Sequence, residues 1–299
     1  TDRTKKEMDR VHELLIKEND NGGVLDVDTE RVLSILSHEP GYVVDKDTDV
    51  IVGLQTDEPL KRGVSPFAGF RNAVQACNAY GYELSEKIKD EFTYRTTHNT
   101  GVFRAYTDTM KAARHAGILT GLPDAYARGR IIGDYRRIAL YGMDYLIEQK
   151  KEDKRRLGMK EILDEETIHT LEDLSKQLDF MNQLKGLALS YGYDISKPAT
   201  TAKEAVQWLY FGYLGAIKEQ NGAANSIGRI AEFMDIYIQR DIEEGILDEV
   251  HAQELIDDLV IKLRLVRHLR TPEYNDLFAG DPVWVTMALA GVTCEGKHM

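Results

Sequence analysis

Cysteine and basic residues are both scarce in this 299-residue sequence. It has two cysteines, Cys77 and Cys294, which are too few for a disulfide framework and typical of a reducing compartment. The 38 lysines and arginines are outnumbered by 50 aspartates and glutamates, so the net charge is −12. Nucleic acids and anionic membrane surfaces require concentrated basic residues, and no apolar run reaches membrane-spanning length. We therefore expect a cytoplasmic protein that binds neither nucleic acid nor membrane.

Motifs for metals and nucleotides are also missing. The eight histidines form no H-x-x-x-H pair and no cluster with cysteine, so no zinc site is expected. The sequence contains neither a P-loop nor a G-x-G-x-x-G fingerprint. Cys77 lies in a stretch with the pattern of an amphipathic helix, which indicates a small buried residue and not a nucleophile.

Most of the chain shows helical periodicity. Residues 45–49 lead into a β-branched run at 50–54, which predicts a short strand. Asp28 is suited to cap a short helix that carries residues 32–36. The charged stretch 148–156 indicates a solvated helix face. Apolar spacing and Gly or Pro breaks predict the remaining helices at about 2–19, 69–80, 84–97, 107–116, 134–150, 160–192, 202–219, 229–243 and 249–270.

The most unusual segment is residues 117–137, which contain four arginines within ten residues of an otherwise acidic chain. These are Arg128, Arg130, Arg136 and Arg137. Guanidinium groups bind carboxylates and phosphates with two parallel hydrogen bonds, and the interspersed glycines permit close backbone approach. A small-anion site is therefore one interpretation. The other is a structural network in which the arginines pair with Asp124, Asp134 and Asp144.

Two further segments can each be interpreted in two ways, as part of a binding site or as ordinary packing. Residues 221–226 (Asn-Gly-Ala-Ala-Asn-Ser) follow a helix rich in aromatic residues, and their small side chains suit either ligand approach or packing at a turn. Residues 277–284 place Phe278 and Trp284 on either side of a Gly-Asp-Pro turn. Two large aromatics suit the wall of a pocket or an anchor in the core.

These segments resemble, in the same order, those of the pyruvate formate-lyase family of glycyl radical enzymes. The similarity covers about residue 25 to the end of the chain. Its most specific part is the string Gly-Leu-Pro-Asp-Ala-Tyr-Ala-Arg-Gly-Arg-Ile-Ile-Gly-Asp-Tyr-Arg-Arg at 121–137. Further matching segments lie at 51–56, 59–62, 97–103, 191–196, 220–224 and 269–274.

The resemblance implies one substrate site assembled from the three segments. In the family the second arginine of the Arg-Gly-Arg turn, here Arg130, holds the carboxylate of pyruvate. Ala223, Phe278 and Trp284 correspond to residues that shape the pocket, and Phe103 corresponds to an aromatic near coenzyme A. No catalytic residue and no metal ligand are expected within this chain.

The implied chemistry is radical carbon–carbon cleavage, in which pyruvate and coenzyme A become acetyl-CoA and formate. In the family an activating enzyme, which uses S-adenosylmethionine and an iron–sulfur cluster, generates a glycyl radical that acts through a cysteine. The implied fold is a helix-rich α/β structure, part of a ten-stranded α/β barrel. The family also implies a cytoplasmic homodimer of anaerobic metabolism.

The sequence departs from the family in having no adjacent Cys-Cys pair and no Arg-Val-Ser-Gly-Tyr type of loop. We therefore expect residues 1–299 to be the N-terminal portion of such a domain, without an internal boundary. We expect the domain to continue beyond Met299 and this portion to be inactive alone. One alternative is a portion of a 2-ketobutyrate formate-lyase. Another is a non-catalytic fragment that binds a carboxylate or another subunit.

Overall fold

The computed structural model describes residues 1–66, 70–94, 105–119, 131–160, 162–219, 225–277, 285–288, 291–292 and 296. Helices dominate this part of the chain. They are α1 (Asp2–Asp20), α2 (Phe70–Ala79), α3 (Glu86–Tyr94), α4 (Asp108–His115), α5 (Arg136–Tyr141), α6 (Met143–Gly158), α7 (Glu165–Ser190), α8 (Ala202–Glu219), α9 (Ala231–Glu243), α10 (Glu249–Leu265) and α11 (Pro272–Leu277).

The strands of the described residues form three parallel pairs. The strands are β1 (Asp26–Val32), β2 (Lys61–Val64), β3 (Ile131–Ile132), β4 (Asn225–Ser226), β5 (Gly228–Arg229) and β6 (Met287–Ala288). β1 pairs with β2, β3 with β4, and β5 with β6. Each partner is distant in sequence, so these short pairs join remote parts of the chain.

β1 occupies the region where the sequence predicted a short helix, and that prediction is wrong. Val27 and Val32 are buried in a hydrophobic cluster with residues of α2 and α3. Asp28 does accept hydrogen bonds from nearby amides, Glu30 N at 2.8 Å and Arg31 N at 3.1 Å. These bonds coincide with an irregularity in the register of β1 against β2. The capping tendency of Asp28 is thus expressed within a bulged strand.

The core is built around α8, because this helix is buried on nearly all sides. Fourteen of its 18 residues are buried, as expected for a helix that is apolar around its whole circumference. Its aromatic residues pack in a cluster with α5, α7 and α9. The ring of Tyr213 meets the ring of Tyr135 edge-on, with centroids 5.7 Å apart. α8 therefore holds α5, α7 and α9 together in one core.

The β-branched run at 50–54 is not a strand, contrary to the prediction. It is buried, and its amides are bound by side chains from other elements. Val50 N and Ile51 N donate to the carboxylate of Asp258 in α10, at 3.0 and 2.9 Å. Val52 exchanges two 2.8 Å hydrogen bonds with the carboxamide of Gln207 in α8. The apolar side chains are buried, but helix side chains replace a neighbouring strand as hydrogen-bond partners.

A fully buried charge cluster joins α1 to α10. The ammonium of Lys262 contacts the carboxylates of Glu7, Asp49 (3.1 Å) and Asp258 (3.6 Å). Asp49 also accepts from the amides of Val43 and Val44. Burial, reinforced by the neighbouring Asp258, raises the pKa of Glu7 from its usual 4.5 to about 9. One ammonium group thus faces three acidic side chains, of which Glu7 is protonated at neutral pH.

The predicted helix at 134–150 is divided at Gly142, which has φ +74° and separates α5 from α6. A side chain at this position would meet the carbonyl oxygen of Ser196 at 2.5 Å, so the break has both a conformational and a steric basis. The charged stretch 148–156 lies on α6 as predicted. Its exposed residues form ion pairs along the helix, including Arg155 with Glu152 at 2.7 Å.

Candidate functional site

Two predicted site segments meet in the strand pair β3–β4. Ile131 immediately follows Arg130, and Asn225 follows the Asn-Gly-Ala-Ala turn. The register pairs Ile131 with Asn225 and Ile132 with Ser226. Two segments that are about a hundred residues apart in sequence are therefore paired directly after residues 130 and 224.

The third segment joins the first two through β5–β6. Gly228 pairs with Met287, and the amides of Ile227 and Gly228 donate to the carbonyl of Thr286 at 3.0 and 3.2 Å. Thr286 is two residues beyond Trp284. A side chain at Gly228 would lie 3.1 Å from the Cγ2 atom of Ile132, so the two strand pairs are in close contact. All three segments predicted to form one site therefore lead into neighbouring strands.

The predicted site residues lie outside the described residues. These are Arg130, Ala223, Phe278 and Trp284 for the substrate and Phe103 for coenzyme A. Their roles remain predictions. The pairing of the adjoining strands in β3–β4 and β5–β6 supports these predictions but does not test them.

The arginine-rich segment forms only part of the predicted structural network within the described residues. Arg136 pairs with Asp134 at 2.7 Å on the surface. Among the described residues, Asp144 pairs with Lys185 of α7 and not with an arginine. Arg137 is exposed, makes no ion pair with the described residues, and lines a groove of about 390 Å³ between α5, α6 and α7. Local pairing therefore accounts for one of the two arginines that are described.

Two buried polar groups, one within β4 and one shortly after β3, have no hydrogen-bond partner among the described residues. One is the carboxamide of Asn225, whose Nδ2 and Oδ1 atoms are both unpartnered although the residue is 0% exposed. The other is the hydroxyl of Tyr135, whose pKa burial raises to about 12. Both residues lie in predicted site segments, but no sequence pattern singles out either one, because burial without a partner is a property of the folded chain.

Cys77 has a structural role. Cys77 is fully buried in the cluster under β1, and burial raises the pKa of its thiol to about 11. The prediction of a small buried residue is confirmed.

Within the described ranges, no group of three or more His, Cys, Asp or Glu residues is placed to hold a metal ion. Along the described part of the chain, each helix is too short or too polar to span a lipid bilayer.

Comparison with known families agrees with the motifs. A family model described as pyruvate formate lyase-like matches residues 1–299. The chain therefore belongs to the pyruvate formate lyase-like family.

Among individual proteins, the chain is similar to the formate acetyltransferase of Haemophilus influenzae, with 52% identity over 304 residues. The match covers 100% of this chain and 39% of that relative. The chain thus corresponds to well under half of the relative's length.

Solved structures show the same fold at lower identity. The B12-independent glycerol dehydratase of Clostridium butyricum superposes with a TM-score of 0.70 at 19% identity, covering 100% of this chain and 44% of that one. A glycyl radical enzyme of Archaeoglobus fulgidus gives a TM-score of 0.59 at 16% identity, covering 84% of this chain and 37% of that one. These similarities confirm a helix-rich α/β portion of the fold that such enzymes share.

Proposed function

We propose that residues 1–299 are the N-terminal portion of an enzyme that converts pyruvate and coenzyme A to acetyl-CoA and formate. The observation that carries this proposal is the 52% identity to a formate acetyltransferase over the whole chain. The strand pairing at 131–132, 225–226 and 287–288 supports it, since one pocket requires these three segments to be neighbours.

In this proposal Arg130 holds the substrate carboxylate. Its planar guanidinium matches the two carboxylate oxygens and so fixes the orientation of the bond that is to be cleaved. Ala223 leaves room for the small substrate, while Phe278 and Trp284 exclude water from the reacting atoms. Phe103 contributes an aromatic surface for coenzyme A. The radical chemistry is supplied by a glycine and cysteines that this sequence does not contain.

Further properties extend the same proposal. A radical S-adenosylmethionine enzyme activates the complete protein, which is a cytoplasmic homodimer of anaerobic metabolism. The family motifs of the sequence support these statements, and the acidic, cysteine-poor composition agrees with a reducing compartment.

Calorimetric titration of the complete, non-activated enzyme with pyruvate tests the assignment of Arg130. A charged, two-pronged hydrogen bond contributes about 1.5–3 kcal/mol, so Arg130→Ala should weaken binding about tenfold to a hundredfold. Arg137→Ala is the matched control, because Arg137 is exposed and makes no ion pair with the described residues. Equal losses in the two variants would contradict the assignment. Titration with 2-ketobutyrate in parallel establishes which 2-oxo acid is preferred.

A further inference from the structure

His38 is a buried histidine with a hydrogen-bond partner at each ring nitrogen. Its side chain is 0% exposed. Nε2 lies 2.8 Å from Oδ2 of Asp28 in β1, and Nδ1 lies 2.6 Å from Oγ of Ser37. An ionised carboxylate can only accept, so Nε2–H donates to Asp28 while Nδ1 accepts from the hydroxyl of Ser37. The neutral imidazole therefore uses both nitrogens within the folded chain.

This histidine lies at the end of the 33–38 segment, which connects β1 and β2 to the core. At the start of the segment, Leu33 N donates to a carbonyl of β2 at 2.7 Å. In its middle, Ile35 N donates to Oε1 of Glu219, the last residue of α8, at 3.0 Å. His38 then fastens its end back onto β1. The segment is thus held at three points by described residues.

The charges around His38 oppose its protonation. The charged groups that face it in the described structure are Asp28 and Arg31 of β1, Asp57 ahead of β2 and Lys218 of α8. The carboxylate of Asp28 is already engaged by Arg31, whose Nε donates to Oδ2 at 2.9 Å. Burial, reinforced by the cations Lys218 and Arg31, lowers the pKa of His38. The site therefore accommodates the neutral imidazole better than the cation.

We propose that His38 is an acid-sensitive latch, which holds the 33–38 segment against β1 and α8 while the imidazole is neutral and releases it on protonation. The imidazole is already covered by described residues, so the latch needs no group outside them.

The sign follows from proton linkage. A histidine whose pKa is lower in the closed than in the open segment binds fewer protons when closed. The closed form therefore loses stability as the pH falls below the ordinary histidine value of 6.5. The full loss in the closing equilibrium is about tenfold for each unit by which closure lowers the pKa.

Hydrogen exchange of the complete, non-activated enzyme tests the latch, with peptides that cover the 33–38 segment compared at about pH 7.5 and about pH 5. After correction for the intrinsic exchange rate, protection of the Leu33 and Ile35 amides should fall at the lower pH. His38→Gln keeps an N–H donor for Asp28 and takes up no proton in this range. Its protection of the segment should therefore be the same at both pH values.

His251→Gln is the matched control. His251 also contacts an aspartate, Asp248 at 2.7 Å, but its side chain is half exposed. This variant should show the wild-type loss of protection in the 33–38 segment.

Three outcomes overturn the proposal. The first is wild-type protection of the 33–38 segment that does not change with pH, and the second is a loss that His38→Gln shares. The third can be read in the wild type even if His38→Gln does not fold. The amides of Val50 and Ile51, which are bound by Asp258, should keep their protection at the lower pH. An equal loss there means that acid unfolds the whole chain and that no local latch exists.

Discussion

The protonation of Glu7 in the buried cluster gives the free energy of unfolding a defined pH dependence. In the folded chain the pKa of Glu7 is raised to about 9, whereas in the unfolded chain it returns to near 4.5. Between these values the folded state binds more protons than the unfolded state. The stability from this group is therefore largest at low pH and is lost as the pH rises through the window.

The magnitude follows from proton linkage. Where the folded state holds one extra proton, stability falls by about 1.4 kcal/mol per pH unit. Glu7→Gln keeps a neutral side chain of the same shape and removes this titration. We therefore expect the difference in unfolding free energy between wild type and Glu7→Gln to shift by about 1.4 kcal/mol, against the wild type, from pH 7 to pH 8.

Urea unfolding at several pH values across this interval measures the difference. Other titrating groups, such as Lys218 with its pKa lowered by burial to about 8, are common to both proteins and cancel in the comparison. Glu13→Gln, an exposed change on the same helix, should leave the wild-type slope intact. Parallel stability profiles for wild type and Glu7→Gln would refute the reasoning and show that Glu7 is an ionised partner of Lys262.

Two other substitutions test the fold. Lys262→Met leaves three acidic groups buried without their cation and should cost about 3–5 kcal/mol in urea unfolding; a loss below about 1 kcal/mol would mean that water enters the cluster. Gly142→Ala forces a side chain into a left-handed conformation, 2.5 Å from the carbonyl oxygen of Ser196, and should cost about 1–3 kcal/mol. Its control is Gly158→Ala, where no atom lies within 4 Å and stability should hold or rise.

Helices were predicted well where local chemistry determines them. The helix predicted at 202–219 is α8, Ala202–Glu219, because its apolar residues and its flanking breaks agree. The split at Gly142 was missed, since the sequence around it remains favourable for a helix on both sides. The requirement for a break comes from the close approach of Ser196, which is a tertiary contact.

The strands were predicted poorly because their partners are remote. Residues 50–54 have the composition of a strand, but the partners of their amides, Asp258 and Gln207, lie more than 150 residues away. β2 at Lys61–Val64 carries two basic residues and a glycine, so no local pattern distinguishes it.

The candidate site was found through family motifs, and the residues alone left each segment open to two interpretations. Family membership and fold are confirmed. The roles of Arg130, Ala223, Phe278, Trp284 and Phe103 stay predictions. Asn225 belongs to the candidate segment 221–226 but could not be singled out within it, because a small polar side chain is ordinary at a turn and becomes unusual only when it is buried without a partner.

The segment at 50–54 also bears on how the chain would be probed in solution. Its amides lie outside helices and strands, yet they donate to buried side chains of two helices. Hydrogen exchange at these positions requires α8 and α10 to separate from the segment, so protection should match that of the core and exceed that of ordinary loops. A protease site or an inserted tag placed here would therefore disrupt the centre of the molecule.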